Sequence, residues 1–238
     1  MIKFTNTSLT TLAENLALDE ALLLDAEAGG PEVLRVWHWP TSAVVLGAGG
    51  RIADDVDEPA CVADGVPIIR RSSGGGTVLL GAGCMLYSLV LRFDRHPALS
   101  DLTASYRFIL GQIAQALAPL VSPVAIEGTS DLTHAGRKFS GNSQQRKRTH
   151  LLHHGTILLD FDVNAIARYL KMPLRQPEYR RHRSHADFLT NVPILANVVQ
   201  EVLRRAWVAD ETMIDMPIEF IKRLVVEKYS RQEWTARR

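Results

Sequence analysis

The chain has 238 residues, and 27 lysines and arginines stand against 26 aspartates and glutamates, for a formal charge of +1. This balance argues against a dedicated nucleic-acid binder, and 46% hydrophobic residues exclude disorder as the main character. No apolar run approaches the roughly 18–20 residues of a membrane helix, and we expect no secretory signal at the N-terminus. Since Cys61 and Cys84 are too few for a disulfide framework, we expect a cytoplasmic protein that binds neither membranes nor nucleic acid.

The first half of the chain combines one long helix with several short strands. Leucines at helical spacing predict a helix over residues 8–28, in which Thr11 and Glu14 have the spacing of a capping box. Residues 85–92 alternate so that both faces are largely apolar, which is typical of a central strand. The other elements predicted here are strands over residues 33–37, 43–47, 68–71 and 77–80 and a short helix over residues 54–64.

The second half begins with a predicted helix from Ser100 to Leu117. Residues 124–159 have the glycine punctuation of strands and turns. Helical patterns return over residues 163–170, 193–207 and 217–229. Strands in the middle and helices at both ends predict a single α+β domain over residues 1–238, with C-terminal helices within residues 193–238.

The sequence Arg-Arg-Ser-Ser-Gly-Gly-Gly-Thr at residues 70–77 carries the clearest chemical signal. Three successive glycines allow the backbone to approach a ligand and to direct several N–H groups into one concavity that suits anions. The two preceding arginines can each bind a carboxylate or phosphate. The pattern is neither a Walker A loop nor a dinucleotide fingerprint, and a flexible hairpin turn remains the alternative.

Two further stretches carry candidate polar groups. Lys138 lies between glycines in residues 136–141, where a compact cation could stabilise negative charge that develops on phosphate or carboxylate oxygens; the alternative is a basic surface hairpin. His153 and His154 are adjacent in a predicted strand and therefore face opposite sides, which argues against a shared metal site. We expect one packing histidine, one pocket histidine, and two buried, inert cysteines.

Together, these stretches resemble the lipoate–protein ligase branch of the biotin/lipoate ligase and acyltransferase superfamily. The family's Arg-Arg-x-Ser-Gly-Gly-Gly, Gly-Arg-Lys-x-Ser-Gly and His-His-Gly-Thr motifs correspond, in order, to residues 70–76, 136–141 and 153–156. Residues 15–20 and 130–132 resemble two further family segments, so that the resemblance covers roughly residues 8 to 195.

The resemblance implies an α+β fold of the class II aminoacyl-tRNA-synthetase and biotin-ligase type, in which helices flank a mixed or antiparallel sheet. It implies a lipoate–protein ligase that activates lipoate or octanoate with ATP and Mg²⁺ as an acyl-adenylate. The acyl group then passes to a lysine of a lipoyl domain, such as that of 2-oxoacid dehydrogenase E2 or the glycine cleavage H protein. No protein motif for the metal is expected, because Mg²⁺ arrives with ATP.

The resemblance also assigns roles to individual residues. It implies that Lys138 is the catalytic residue and holds the carboxylate and α-phosphate oxygens. The residues implied to contact the nucleotide are Arg71, Gly76, Thr77, Val78, Leu79, Asp131 and Lys138. Those implied to contact the acyl chain are Arg70, Ser72, Ser73, Gly74, Gly75, His154 and Thr156.

Departures from the family pattern leave alternatives open. The segment after residue 195 is too short for the C-terminal accessory domain of many ligases, which leaves room for a separate accessory subunit. An octanoyltransferase or lipoyl amidotransferase with an acyl-carrier donor is the main alternative, although residues 122–129 lack the cysteine that related transferases carry there. A biotin ligase and a non-catalytic lipoate-binding module are further alternatives. Basic residues 146–148 and 175–183, with Arg180 and Arg181 foremost, are predicted to receive an acidic lipoyl domain.

Overall fold

The computed structural model describes residues 1–237. Its strands are β1 Ile2–Thr5, β2 Glu32–His38, β3 Ala43–Leu46, β4 Ile68–Arg70, β5 Val78–Leu80, β6 Cys84–Arg92, β7 Val124–Glu127, β8 Asp131–His134, β9 Arg137–Arg146, β10 His150–Leu158 and β11 Glu211–Thr212. Its α-helices are α1 Leu12–Glu27, α2 Ile52–Asp55, α3 Glu58–Asp64, α4 Leu102–Leu117, α5 Ile166–Tyr169, α6 His185–Phe188, α7 Ala196–Ala206, α8 Ile218–Leu224 and α9 Gln232–Ala236.

The described strands form two sheets. The larger sheet has eight strands in the order β11-β1-β2-β6-β10-β9-β8-β7, and it is mixed because β1 runs parallel to β2 and β11 while the other pairs are antiparallel. The smaller sheet has the order β4-β3-β5. Strands β1 and β11 were not predicted, because segments of four and two residues carry too little periodicity to be recognised.

Strand β6 lies in the middle of the larger sheet, between β2 and β10, as its alternating pattern predicts. Leu86 and Val90 pack into a core that includes α1 and the smaller sheet. Leu89 and Leu91 pack on the opposite face against α4 and α7. A strand buried on both faces needs apolar residues at nearly every position, and every residue of β6 except Arg92 is buried.

Helix α1 begins at Leu12 because Thr11 and Glu14 form the predicted capping box. The helix is buried on almost every side, including at the polar residues Asn15, Asp19 and Glu20. Buried polar side chains require partners, and those of α1 point toward the site described below. The sequence pattern of leucines indicated the helix but gave no sign of this polar face.

Two predicted regions differ in detail. Residues 54–64 contain two short helices rather than one, because Asp57 caps α3 and Pro59 occupies its first turn, where a missing N–H is tolerated. The C-terminal region contains the predicted helices, and strand β11 additionally extends the large sheet there. Within residues 1–237, no helix is both long enough and apolar enough to cross a membrane.

Glu27 joins the end of α1 to the turn between β9 and β10. Its Oε1 accepts hydrogen bonds from the Thr149 N–H, the Thr149 hydroxyl and the His150 N–H at 2.7, 2.9 and 2.7 Å. Burial raises the pKa of Glu27, but these donors outweigh that effect and lower the pKa to about 2. Because an unfolded glutamate titrates near about pH 4.3, the contacts stabilise the fold above that pH, and the contribution is lost as the pH falls toward 2.

We therefore expect Glu27→Gln to lower the free energy of unfolding by about 1–2 kcal/mol at pH 7. Chemical denaturation of both proteins between pH 7 and pH 2 should show this difference shrinking as the wild-type carboxyl becomes protonated. The exposed Glu227→Gln serves as the matched control and should change little at any pH. A difference that stays constant over this range would contradict the assignment to the Glu27 charge.

Candidate active site

Two adjoining cavities lie beside strands β9 and β10 and the glycine-rich loop, which we define as residues 71–77, and helix α1 lines the first of them. The first cavity has a volume of about 160 Å³ and mostly apolar walls, and the second has a volume of about 360 Å³ and several basic side chains. The residues that line both cavities are Gly76, Thr77, Val78, Ser130, Asp131, Lys138, Gly141 and Thr156. All three stretches singled out in the sequence therefore meet at one junction.

All seven residues assigned to a nucleotide by the resemblance line at least one of these cavities. Gly76, Thr77, Val78, Asp131 and Lys138 line both, whereas Arg71 lines the first and Leu79 the second. The residues assigned to the acyl chain divide into two groups. Gly75, His154 and Thr156 line the first cavity, whereas Arg70, Ser72, Ser73 and Gly74 are not among the described residues that line either cavity.

Arg71 holds the glycine-rich loop from within. Its buried guanidinium donates hydrogen bonds to the carbonyl oxygens of Val45, Gly74 and Gly76 at 3.3, 2.5 and 2.9 Å. Its Nε donates to the Ser73 hydroxyl at 3.0 Å. Burial lowers the pKa of Arg71 to about 10. The cation is thus largely committed to protein oxygens rather than displayed to a ligand.

The glycine-rich loop also has backbone N–H groups without an acceptor in the described part of the chain, because its carbonyl groups, and not its N–H groups, contact Arg71. Among the described residues, none accepts a hydrogen bond from the backbone N–H of Gly75 or Gly76. Gly75 has φ of +83°, which favours glycine. A Cβ on Gly47 would lie 2.0 Å from the Gly75 carbonyl oxygen, so the residue that follows β3 must also be glycine. Free amides beside a cavity suit an anionic or carbonyl oxygen.

Arg70, one residue earlier, points to the other side of the strand. It is fully buried and donates to the carbonyl oxygens of Gly47 and Gly50 at 2.9 and 2.7 Å and of Thr235 at 2.8 Å. The indole N–H of Trp234 donates in return to the Arg70 carbonyl at 2.8 Å. Arg70 therefore joins helix α9 to the turn after β3 and lies away from the cavity that it was predicted to shape.

Lys138 lies at the junction of the two cavities, near the start of β9. Its Nζ lies 2.8 Å from Oδ1 of Asp131, the first residue of β8. The tight turn between these strands places Ala135 and Gly136 at φ of 48° and 72°. The side chain of Lys138 crosses directly over Gly141, where a Cβ would lie 2.7 Å from both Cε and Nζ of the lysine.

We therefore expect Gly141→Ala to displace Lys138 and to lower the rate of any reaction that depends on Lys138 about tenfold. A tenfold decrease corresponds to the loss of about one hydrogen bond in the transition state. Because the lysine side chain is long and flexible and can move aside, the free energy of unfolding should change by less than about 1 kcal/mol in thermal denaturation. Gly111→Ala, in the middle of α4 with open space at its Cβ, is the control and should stabilise the protein by about 0.5–1 kcal/mol. Full activity of Gly141→Ala would contradict this placement of the lysine.

His154 belongs to a buried polar chain along the wall of the first cavity. Its Nδ1 lies 3.3 Å from Asp19 Oδ2, and its Nε2 lies 2.5 Å from the Ser73 hydroxyl. Arg35 donates to the other Asp19 oxygen at 2.6 Å. Burial raises the pKa of Asp19, but Arg35 and His154 outweigh it and hold the pKa below its usual value.

Ser73, His154 and Asp19 are hydrogen-bonded in the same order as the nucleophile, the base and the orienting carboxylate of a catalytic triad. Ser73 is only 2% exposed, however, and its hydroxyl already contacts both Arg71 and His154. These hydrogen bonds therefore stabilise the position of the glycine-rich loop. His154 lines the first cavity, as predicted for the pocket histidine.

His153 points to the opposite face of β10, as predicted. Burial, with a smaller effect of His154, lowers the pKa of His153 to about 3, so the ring is neutral. Gln144 and the Tyr87 hydroxyl contact its two ring nitrogens, both at 3.2 Å. Tyr87 also donates to Asn142, which lines the first cavity. His153 thus packs inside the protein and supports the cavity wall indirectly.

The basic segment at residues 175–183 is only partly a surface. Arg181 is exposed, but Arg180 is 4% exposed, stacks on Phe188 and donates to the Arg183 carbonyl. The prediction that Arg180 presents its charge to an acidic partner is therefore wrong, because its guanidinium is used within the segment. Arg175 and Arg180 instead line the second cavity.

Neither cysteine lies at the cavities. Cys61 is buried in α3 and Cys84 is buried at the start of β6, where burial raises its pKa to about 12. A thiol with so high a pKa is a poor nucleophile at neutral pH. In the described part of the chain, no group of three or more His, Cys, Asp or Glu side chains is arranged to hold a metal ion.

Three residues of this site were not anticipated from their sequence context. Arg35 and Asp19 form a buried ion pair, and Tyr179 donates to Asp131 Oδ2 at 2.6 Å. An arginine in an apolar strand and an acidic residue in an apolar helix were the available signals for the ion pair. Tyr179 gave none, because it lies 48 positions from its partner in the chain.

Comparison with known proteins places this geometry in context. The family model of the lipoyl protein ligase A/B catalytic domain matches residues 11–211. The chain is 31% identical to octanoyltransferase LipM of Carboxydothermus hydrogenoformans, over 94% of each protein. It is 29% identical to a "Probable lipoate-protein ligase A" of Mycoplasma pneumoniae, over 66% of this chain and 45% of that protein.

Solved structures share the fold. A bi-partite lipoate protein ligase of Thermoplasma acidophilum superposes with a TM-score of 0.83 at 22% identity, over 99% of this chain and 95% of that one. A lipoate-protein ligase A bound with ATP superposes with a TM-score of 0.78 at 22% identity, over 99% and 97% of the two chains. The predicted α+β class, with a mixed sheet flanked by helices, is confirmed.

Proposed function

The chain belongs to the family of lipoyl protein ligase A/B catalytic domains, and on this premise we propose that it transfers an octanoyl group from an acyl carrier to a lysine of a lipoyl domain. Its membership makes it an enzyme of the lipoate ligase and octanoyltransferase family. The observation that carries the proposal is the position of Lys138, where an apolar cavity meets a basic one.

The first cavity suits a medium-length acyl chain. Its walls include the apolar side chains of Leu16, Trp37, Val45, Leu80 and Leu86. Burying an alkyl chain there is favourable by roughly 0.8 kcal/mol per CH₂ group. At its open end, Lys138 and the N–H groups of Gly75 and Gly76 can receive the carbonyl oxygen.

The second cavity suits the anionic part of the donor. Lys171 and Arg175 line it together with Lys138. Phosphate groups are bound by such clusters of cations. A phosphopantetheine arm in this cavity would bring its thioester to the junction, where the acyl chain enters the first cavity.

The reaction we propose is direct transfer. The neutral amine of the acceptor lysine attacks the thioester carbonyl, the carbon–sulfur bond breaks, and the carrier thiol leaves with the proton that the amine gives up. Lys138 stabilises the negative charge on the carbonyl oxygen in the transition state. A cysteine relay is disfavoured because Cys61 and Cys84 are buried away from both cavities.

The donor class is supported by the relatives. Two octanoyltransferases LipM, from Carboxydothermus hydrogenoformans and Moorella thermoacetica, are at least 30% identical over most of their lengths. The acceptor class is supported by the Thermoplasma acidophilum structure, which is described together with an E2 lipoyl domain. The ATP-dependent ligase of our sequence interpretation accordingly becomes the second candidate.

The second candidate is also consistent with the composition of the cavity walls. A ligase forms an acyl-adenylate from the carboxylate and ATP, releases pyrophosphate, and lets the acceptor amine displace AMP, so it needs no protein nucleophile. The absence of a cysteine from the described cavity walls fits this route, in which ATP would bring Mg²⁺ and a separate accessory subunit could contribute.

The test supplies an E2 lipoyl domain or the H protein with either octanoyl carrier protein or octanoate, lipoate, ATP and Mg²⁺. Intact-mass measurement of the acceptor reports the amide, and released pyrophosphate reports adenylation. Acylation from the carrier alone supports the proposal, whereas acylation that needs ATP overturns it in favour of the ligase. Binding of octanoate without transfer from either donor would make the chain a lipoate-binding module. The Cys61→Ala/Cys84→Ala variant should keep full activity.

A further inference from the structure

Asp131 has two side-chain partners, of which Lys138 lines both cavities and Tyr179 lines neither. Its Oδ1 lies 2.8 Å from Lys138 Nζ, and its Oδ2 accepts the Tyr179 hydroxyl at 2.6 Å. Asp131 is 7% exposed and the side chain of Lys138 is 25% exposed, so the carboxylate is buried while the lysine stays partly accessible to water. Among the described residues, Asp131 is the one carboxylate paired with Lys138.

Tyr179 is held firmly in this position. Its ring packs against Phe188 with centroids 5.2 Å apart, and it lies 3.5 Å from where a Cβ of Gly128 would be. The Tyr179 carbonyl accepts a hydrogen bond from Arg183 at 2.9 Å, and Arg183 also donates to the Gly136 carbonyl at 3.0 Å. The ring is therefore fixed by contacts that do not involve its hydroxyl.

Burial and the neighbouring Asp131 raise the pKa of Tyr179. The phenol thus remains a hydrogen-bond donor to the carboxylate at all physiological pH values. A donor on Oδ2 draws negative charge toward that oxygen and away from Oδ1. The ion pair between Oδ1 and Lys138 is weakened accordingly.

We propose that Tyr179 is a positioning residue that acts on Lys138 through Asp131, an inference that rests on the proposed function. Before reaction, Asp131 keeps the ammonium of Lys138 at the junction of the cavities. During acyl transfer, Lys138 must turn part of its charge toward the substrate oxygen. The hydroxyl of Tyr179 reduces the attraction that opposes this change and fixes which carboxylate oxygen faces the lysine.

The chain contains a matched control for this arrangement. Tyr169 donates to Asp64 at 2.9 Å, and Arg168 pairs with the same carboxylate. The chemistry is the same, a phenol and a cation on one aspartate, but none of these three residues lines either cavity. Tyr179→Phe and Tyr169→Phe each remove one hydroxyl and keep the ring.

Steady-state acyl transfer should show that Tyr179→Phe lowers kcat about tenfold, while KM for the acyl donor stays within about twofold. Tyr169→Phe should match the wild type. In an Asp131→Asn background, adding Tyr179→Phe should have no further effect, because the two residues act in series. An unchanged kcat, an effect confined to KM, or the same tenfold loss in the Asp131→Asn background would overturn the proposal.

A second measurement is independent of the reaction. Brief labelling with acetic anhydride, read by peptide mass spectrometry, should modify Lys138 about threefold more slowly in Tyr179→Phe, because the ion pair holds the ammonium more strongly. Lys147 is exposed and should be labelled equally in both proteins. A wild type that transfers no acyl group would contradict the proposed function alone. Equal labelling of Lys138 in the wild type and in Tyr179→Phe would contradict the role of Tyr179.

Discussion

Replacement of Lys138 by alanine is expected to lower the rate of acyl transfer by about 10²–10³-fold, the usual effect of removing a group that stabilises a developing oxyanion. Lys138 is placed where both cavities meet, and its ammonium is 2.8 Å from Asp131 and 25% exposed on its side chain. Without it, the carboxylate of Asp131 faces the position of the substrate oxygen and repels negative charge there. The decrease should appear in kcat, because the charge develops only in the transition state.

The stability of Lys138→Ala should stay close to that of the wild type, because a partly exposed ion pair contributes about 1 kcal/mol or less. Lys147→Ala removes an exposed lysine from the same basic stretch and serves as the matched control. Lys138→Arg should be strongly impaired as well, since the larger planar guanidinium must fit over Gly141, where the lysine already passes closely. Transfer by Lys138→Ala at more than about a tenth of the wild-type rate would contradict the proposed role.

The largest effect on stability is expected for Arg35→Met, at about 3–5 kcal/mol, the cost of leaving a buried charge without its partner. Arg35 has no exposed surface, and it donates to Asp19, the Asn15 carbonyl and the Thr7 carbonyl at 2.6, 2.8 and 2.9 Å. These bonds join β2 to α1 beneath the first cavity. Without the Arg35 guanidinium, the buried carboxylate of Asp19 retains only His154 as a side-chain partner among the described residues.

Chemical denaturation would measure this loss, with Arg205→Met as the control, because that arginine pairs with Glu201 on the exposed face of α7. The destabilisation by Arg35→Met should become smaller as the pH falls, since protonation of Asp19 removes the unpaired charge. Arg35→Met combined with Asp19→Leu should be more stable than Arg35→Met alone, because an apolar pair needs no compensation. A single variant as stable as the wild type would show that the pair is not essential to the fold.

The elements that could be predicted from the sequence are those whose signals are local. Thr11 and Glu14 cap α1 within one turn, and the alternation of β6 reports its own two-sided burial. The chain order of the glycine-rich loop, the segment around Lys138 and the histidine pair indicated the family before any contact was known. Strands β1 and β11 were missed because their pairing partners, and not their own residues, make them strands.

The membership of individual residues in the site depends on distant contacts. Arg70 and Arg71 are adjacent and chemically identical, yet one holds α9 and the other holds the glycine-rich loop, because successive side chains of a strand point to opposite faces. Tyr179 reaches Asp131, and His154 reaches Asp19, across 48 and 135 positions of the chain. Such pairs arise from strand register and helix packing, which no short window of sequence records. Local patterns thus sufficed to recognise the family, whereas the contacts that surround Lys138 became visible only when the sheet brought remote segments together.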